Sequence, residues 1–165
     1  MATKRKPPKR RPTPKPKPRK RVKRRSNAPP PAPHIKRDPV DPAEVQLVEG
    51  KGSPEHGGGP GGHYWHIHVG GRRAGHVFIN WINEEPYGDH ASVQIFLNES
   101  EQGKQIGRVA YRLACERSRY DTVYAHMRKG NTASKRAAQE AGFKAINDGR
   151  TQLTMVWHRP GTEKP

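Results

Sequence analysis

Residues 98–116 read NESEQGKQIGRVAYRLACE, and within them QGKQIG (102–107) places two glycines in a polar turn that runs into a helical pattern. With ASVQIFL (91–97) read as a strand before it, the order is strand, glycine turn, helix, which is how a backbone presents free N–H groups to a phosphate. A second group of residues with chemical capacity is HYWHIH (63–68). On a strand His66 and His68 share a face, His63 points to the other, and His76 can lie opposite on the next strand. Four imidazoles so placed are conceivable metal ligands. No carboxylate or cysteine stands at ligand spacing with them, so histidines packed among Tyr64 and Trp65 are the expected reading, and no metal is expected. Cys115 is the single cysteine. It allows no internal disulfide, fits a reducing intracellular setting, and reads as a buried bystander thiol rather than a nucleophile.

These residues need elements to hold them. EVQLVEG (44–50), HYWHIHV (63–69) and RAGHVFINWI (73–82) read as strands, with Val77, Ile79 and Trp81 on one face of the third. GKGSPEHGGGPGG (50–62) is predicted to be irregular because glycine and proline dominate it. In 91–97 Ala91, Val93, Ile95 and Leu97 alternate with polar Ser92 and Gln94, the period of a sheet with one buried face. From about 104 to 118 the stripe Ile106, Val109, Ala110, Leu113, Ala114 predicts an amphipathic helix. TVYAHM (122–127) is strand-like. NTASKRAAQEAG (131–142) is a short helix with Asn131 as N-cap, Gly142 as stop, and Ala133, Ala137 and Ala141 on one small face. FKAIN and TQLTMVWH (151–158) close the chain as a hairpin through NDGR. The sum is an α+β fold: a mixed, mostly antiparallel sheet with two main helices.

Charge divides the chain. Of 165 residues, 1–37 carry 16 of the 32 Lys and Arg and no acid, and 12 of the 17 prolines lie in 1–42. The remaining residues balance 16 bases against 15 acids. Residues 1–43 are therefore expected to be a disordered, basic, proline-rich tail, and residues 44–165 the folded domain. The tail lacks the apolar region of a secretory signal, and no stretch is long and apolar enough to span a membrane, so a cytoplasmic protein is expected. Sixteen cations without an acid favour nucleic acid as a partner of residues 1–37 through counterion release, and so a nucleic-acid-associated location.

The element order and two motifs resemble the GNAT acyltransferase superfamily. Its first motif, Gln/Arg-x-x-Gly-x-Gly/Ala after the fourth strand, is Gln102-Gly103-Lys104-Gln105-Ile106-Gly107 here, with Gln105 at the middle glycine. The second, Asn-x-x-Ser/Ala followed by a helix and Gly-Phe, is Asn131, Ser134 and Gly142-Phe143. The resemblance covers roughly residues 63–158. It implies acetyl-CoA as co-substrate, its pyrophosphate on the N–H groups of Gly103, Lys104, Gln105, Ile106, Gly107 and Arg108 at a helix start. Gly103 and Gly107 would allow close approach, and Lys104 and Arg108 would add charge. The resemblance also implies that strand 91–97 splays from 122–127, so that free backbone groups near Phe96 and Leu97 bind the pantetheine arm. Gln102 and Asn131 join the cofactor-binding set.

Two departures from the family pattern follow. Many members carry a tyrosine seven residues after the Asn that protonates the leaving thiolate; that position is Ala138, and Ser134 and Tyr124 are carried as candidates instead. The two helices that usually follow the first strand are replaced by GKGSPEHGGGPGG, which makes a reduced fold with an open acceptor side. Transfer to an amine needs a base; Asp89 and His90 at the start of the fourth strand are the candidates. The resulting reading is an N-acyltransferase moving an acetyl group from acetyl-CoA to an amine on or near nucleic acid. A Mom-like phage DNA base-modification enzyme and a non-catalytic GNAT-fold nucleic-acid-binding module are the alternatives.

Overall fold

A computed structural model of the chain describes residues 37–149 and 151–162; the expectation of disorder for residues 1–36 lies outside the described residues. Seven strands form one sheet: β1 (Val45–Glu49), β2 (His63–Val69), β3 (Arg72–Glu84), β4 (Gly88–Leu97), β5 (Thr122–Arg128), β6 (Lys144–Asp148) and β7 (Gln152–His158). Their order across the sheet is β1-β2-β3-β4-β5-β7-β6. Two helices, α1 (Ile106–Arg117) and α2 (Thr132–Glu140), complete the frame. This is the mixed α+β sheet expected from the periodicities. Every neighbouring pair is antiparallel except β4 and β5. That pair is parallel and registers only at Ala91↔Val123 and Ser92↔Tyr124. Beyond Ser92 the two strands part, as the family resemblance implied.

Alternation decides which face is closed. Trp65, Ile67, Val77, Ile79, Ala91, Val93, Val123 and Ala125 join Ile106, Val109, Ala110, Tyr111 and Ala114 of α1 in one buried core. Ile67, Val77, Ile79 and Val93 are each at most 1% exposed, and each contributes about 1.5–3 kcal/mol through burial. The predicted stripe of α1 is the stripe that packs. On α2 the small face is Ala137, Ala138 and Ala141; Ala133, expected with them, is exposed. Asn131 caps α2 by accepting from the Ser134 N–H at 3.1 Å, and Gly142 ends it at φ +99°.

The opposite face of the sheet carries neither α1 nor α2. Residues 50–62, expected to be irregular, contain a single helical turn at Pro54–Gly58, broken by non-helical backbone at His56 and Gly57. This loop lies across β3: the Gly57 N–H donates to Asn80 Oδ1 at 2.7 Å, and Asn80 Nδ2 donates to the Glu55 carbonyl at 2.7 Å. It shields Phe78, which is 1% exposed. Elsewhere on that face Phe96 is 49% exposed, whereas His90, Ser92 and Thr154 are at most 5% exposed. Residues 37–43, placed in the tail by composition, touch the folded part, since Val40 packs on the core and its N–H bonds to the Lys104 carbonyl.

Candidate active site

The turn after β4 is tied down from three sides. The Asn98 backbone N–H donates to the Ala74 carbonyl and its side chain to the Arg73 carbonyl. Gln102 Nε2 donates to the Leu97 carbonyl at 3.2 Å. From outside the motif, Arg37 Nη1 donates to the carbonyls of Glu99 (2.6 Å) and Gln102 (2.8 Å), and the Val40 N–H to that of Lys104 (3.0 Å). Carbonyls thus turn outward to these partners. The N–H groups of Gly103, Lys104 and Gln105 donate to no backbone carbonyl among the described residues. Those of Ile106, Gly107 and Arg108 form the first turn of α1, where no intrahelical acceptor exists. Six N–H groups at the positive end of a 12-residue helix suit a diphosphate.

Gln105 shows why its departure from the family pattern is tolerated. It stands at φ +62°, ψ +15°, in the left-handed region a glycine enters freely. An L-residue pays about 1–2 kcal/mol there, yet the backbone path the glycine would take is kept. Five other expected residues have partners of their own within the fold. A Cβ at Gly107 would lie 3.3 Å from Ala137 Cβ, so this glycine also lets α1 and α2 approach closely. Lys104 Nζ is paired at 3.0 Å with the buried Glu101 carboxylate, and Arg108 lies 3.4 Å from Glu140; both cations expected to face the phosphate already have acid partners. The Leu97 carbonyl is engaged by Gln102 rather than open to a pantetheine arm. Asn131 is spent on its cap.

At the other end of β4, where it still touches β5, four rings and a hydroxyl gather on the open face. His90 is 4% exposed. Its Nδ1 lies 2.8 Å from the Gly88 carbonyl and its Nε2 2.9 Å from His126 Nε2. A carbonyl only accepts, so His90 carries its proton on Nδ1 and accepts at Nε2 from His126. His126 Nδ1 then accepts from Thr154 Oγ1 at 3.3 Å. Burial, and after it the neighbouring His90, hold His126 below the ordinary histidine pKa; Glu84 opposes them. Tyr124 packs 4.7 Å from His90 between ring centroids, and Tyr87 5.2 Å from Tyr124. A cavity of about 190 Å³ lined by Tyr87, His126, Thr154, Glu84 and Asn147 among others opens beside them.

The structure therefore brings together His90 and Tyr124 of the expected set and leaves two candidates out. Asp89 points to the other side of β4 and accepts from Asn83 at 2.6 Å. Ser134 sits on α2, its hydroxyl 3.0 Å from the phenol of Tyr111, a buried member of the helix-side core. Ala138, at the family's tyrosine position, is fully buried. His126 and Thr154 were missed by sequence reasoning. The only signal was the alternation of Tyr124 and His126 in TVYAHM, which puts both on one face. Cys115 is buried and its thiol pKa is pushed up by burial, in keeping with a bystander. His66 and His76 stand opposite each other, as expected of a hairpin. Among the described residues no group of three or more potential ligands converges on a metal position.

Comparison with known proteins agrees with this architecture. The model of the acetyltransferase (GNAT) domain matches residues 38–144. No curated protein matches the chain. Among solved structures, Mycobacterium smegmatis RimJ in complex with CoA-disulfide superposes with a TM-score of 0.50 at 19% identity, over 62% of this chain and 56% of that one. The protein yncA from Salmonella typhimurium with its cofactor acetyl-CoA gives 0.50 at 17%, over 64% and 69%. The ribosomal-protein-alanine N-acetyltransferase from Brucella melitensis gives 0.52 at 18%, over 61% and 70%. Likeness at such identity is a likeness of fold, and this chain spans little more than half the length of the mycobacterial protein, 56%.

Proposed function

The chain belongs to the GNAT acetyltransferase family, and from that premise we propose that it moves an acetyl group from acetyl-CoA to an amine. The observation that carries the reading is the run of N–H groups at Gly103–Arg108 standing beside two strands that part after Ser92. The N–H groups hold the diphosphate, and the parted strands give the thioester arm a path toward the His90–His126 pair. Gln102 fixes the turn by bonding the Leu97 carbonyl.

In this reading the neutral amine attacks the thioester carbonyl carbon. A nitrogen–carbon bond forms, and the carbon–sulfur bond breaks with its electrons on sulfur. The proton lost by the amine passes, directly or through one water, to His126 Nδ1, whose 3.3 Å bond to Thr154 is the weakest in the chain of contacts. The His126–His90 bond stays intact and spreads the positive charge. A histidine held below its ordinary pKa is unprotonated near neutrality and able to take that proton. Tyr124, beside the pair, is placed to return a proton to the thiolate. The acceptor side is open because a glycine-rich loop stands where the family usually has helices. A large acceptor, carried on or near nucleic acid through the cations of residues 1–37, suits such an opening.

The test is a melting curve with and without acetyl-CoA, followed by transfer of labelled acetyl groups to a panel of amines. The expected result is a higher melting temperature with acetyl-CoA and label on at least one amine. An unchanged melting temperature would overturn the reading. It would also leave a cofactor-free binding module in its place, while modified nucleosides with no acetylated amine would point to base modification.

A further inference from the structure

His126 is not the last polar side chain on its face of β5. Val123, Ala125 and Met127 belong to the core shared with α1, so alternation sends Tyr124, His126 and Arg128 to the opposite face of the sheet. Across on β7, Thr154 registers with His126 and Gln152 with Arg128. Arg128 thus stands two residues beyond the proposed base, about 7 Å along the strand. It is exposed, and among the described residues no carboxylate pairs with it. Arg72, Lys104, Arg108, Arg112 and Arg159 all have acid partners, while Arg37 and Arg117 hold backbone carbonyls. The donors of Arg128 are not committed in either way.

A cavity of about 590 Å³ lies beside it, lined by His126, Arg128 and Gln152 among others. No residue of β4 or of 102–108 lines this space, so it is not the gap between β4 and β5 through which the thioester arm would pass. The cavity of about 190 Å³ described above shares His126, Thr151 and Gln152 with it and is lined by Glu84 and Glu85, where β3 turns into β4. The two spaces carry opposite charge, and His126 lines both. Glu84 is close enough to act on His126 electrostatically. An ammonium nearing His126 is drawn to the acid side, and an anion on the same molecule to the guanidinium. Resting on the transferase reading, we infer that the 590 Å³ cavity seats the acceptor, and that the acceptor is an amine bearing a carboxylate or phosphate, which Arg128 holds while the nitrogen reaches His126. A guanidinium presents paired N–H donors that match either oxyanion. An anion held two residues from the base fixes how far the amine can stray from it. A polyamine would instead set a second cation against Arg128 and is disfavoured.

The test pairs small amines that differ in charge: phosphoethanolamine with ethanolamine, and γ-aminobutyrate with its amide. The two pairs also tell phosphate from carboxylate. With the unaltered full chain the anionic member is expected to have the lower KM, by about ten-fold, the worth of one hydrogen bond to a charged group. Arg128→Gln, a surface change that does not threaten the fold, should raise the KM of the anionic member to that of its uncharged partner. Equal KM values within each pair for the unaltered chain would overturn the inference. So would a KM for acetyl-CoA that rises in step with that of the amine, which would place Arg128 on the cofactor. A second measurement needs no turnover. Inorganic phosphate titrated into the unaltered chain should move the ring signal of His126 in a nuclear magnetic resonance spectrum, the signal being assigned by its loss in His126→Ala. The same titration should leave the signal in place in Arg128→Gln. A still signal in the unaltered chain, or an equal shift in Arg128→Gln, would overturn the inference, and this arm decides alone if no amine of the panel takes the label. Failure here beside a melting temperature that rises with acetyl-CoA leaves the transferase reading standing. A phosphate shift without that rise would mean an anion site that serves no transfer, and would overturn the acceptor assignment together with the transferase reading.

Discussion

The two ends of β4 are built in opposite ways. At its C-terminal end the candidate phosphate cradle uses six successive residues, and its shape comes from local backbone geometry: a left-handed Gln105, a helix start, and a side chain reaching back from Gln102 to Leu97. At its N-terminal end the candidate base is assembled from strands far apart in sequence, His90 and His126 being 36 positions apart and Thr154 a further 28. The first end is shaped largely within its own turn, with anchors on β3 and on the segment before β1. The second exists only because β4, β5 and β7 lie side by side. The contrast teaches that binding and chemistry can be lost independently here.

The largest expected effect separates the two ends outright. His126→Ala should slow amine acetylation by about 10²–10⁴-fold, the usual loss of a general base, while the rise in melting temperature with acetyl-CoA persists. If both vanish together, the ends are not independent. Next comes Gly107→Leu, which forces a side chain against Ala137. It should cost about 1–3 kcal/mol of stability in urea unfolding, and unchanged stability would leave Gly107 with the role of admitting phosphate alone. Smaller still is position 105. Gln105→Val should lose about 1–2 kcal/mol because a β-branched residue resists the left-handed region, whereas Gln105→Gly should be no less stable than the unaltered chain. Equal stabilities for the two would mean the turn relaxes out of that conformation.

The smallest effect is one of pH. Burial lowers the pKa of His63, His66, His76 and His126 in the folded chain. The unfolded chain then binds these protons more readily, so protonation favours unfolding. Stability is fully present above the unfolded histidine pKa of about 6.5 and is lost as pH falls from there toward the lower folded values. Melting temperatures across that range should therefore fall with acid. The kcat/KM for acetylation should climb with pH and level off below the ordinary histidine range, as His126 loses its proton. His126→Ala should remove the second dependence and only part of the first.

The sequence made the fold readable where period and side-chain type agreed. Val93 and Ile95 alternate with Gln94, and Ile106 to Ala114 follow a helical stripe, so β4 and α1 stood out. The motif pointed to the cradle because a turn is local. It did not show what Gly107, Lys104 and Arg108 meet, Ala137, Glu101 and Glu140, because those contacts are set by packing rather than by spacing. Of the base candidates, His90 and Asp89 looked alike in sequence. One residue of pleat separates a histidine buried against β5 from a carboxylate held by Asn83 in solvent. His126 was hidden for the same reason: nothing in TVYAHM says that β5 will lie beside His90.

The anchoring of Arg37 on the Glu99 and Gln102 carbonyls makes the start of the domain part of its turn. Shortening the chain to residue 44 would discard both that guanidinium and the Val40 N–H, and would slacken the very loop whose ligand is to be measured. Linkage is also mutual: whatever tightens this loop steadies the segment that grips it, and a polyanion drawing on that segment tugs the loop in return.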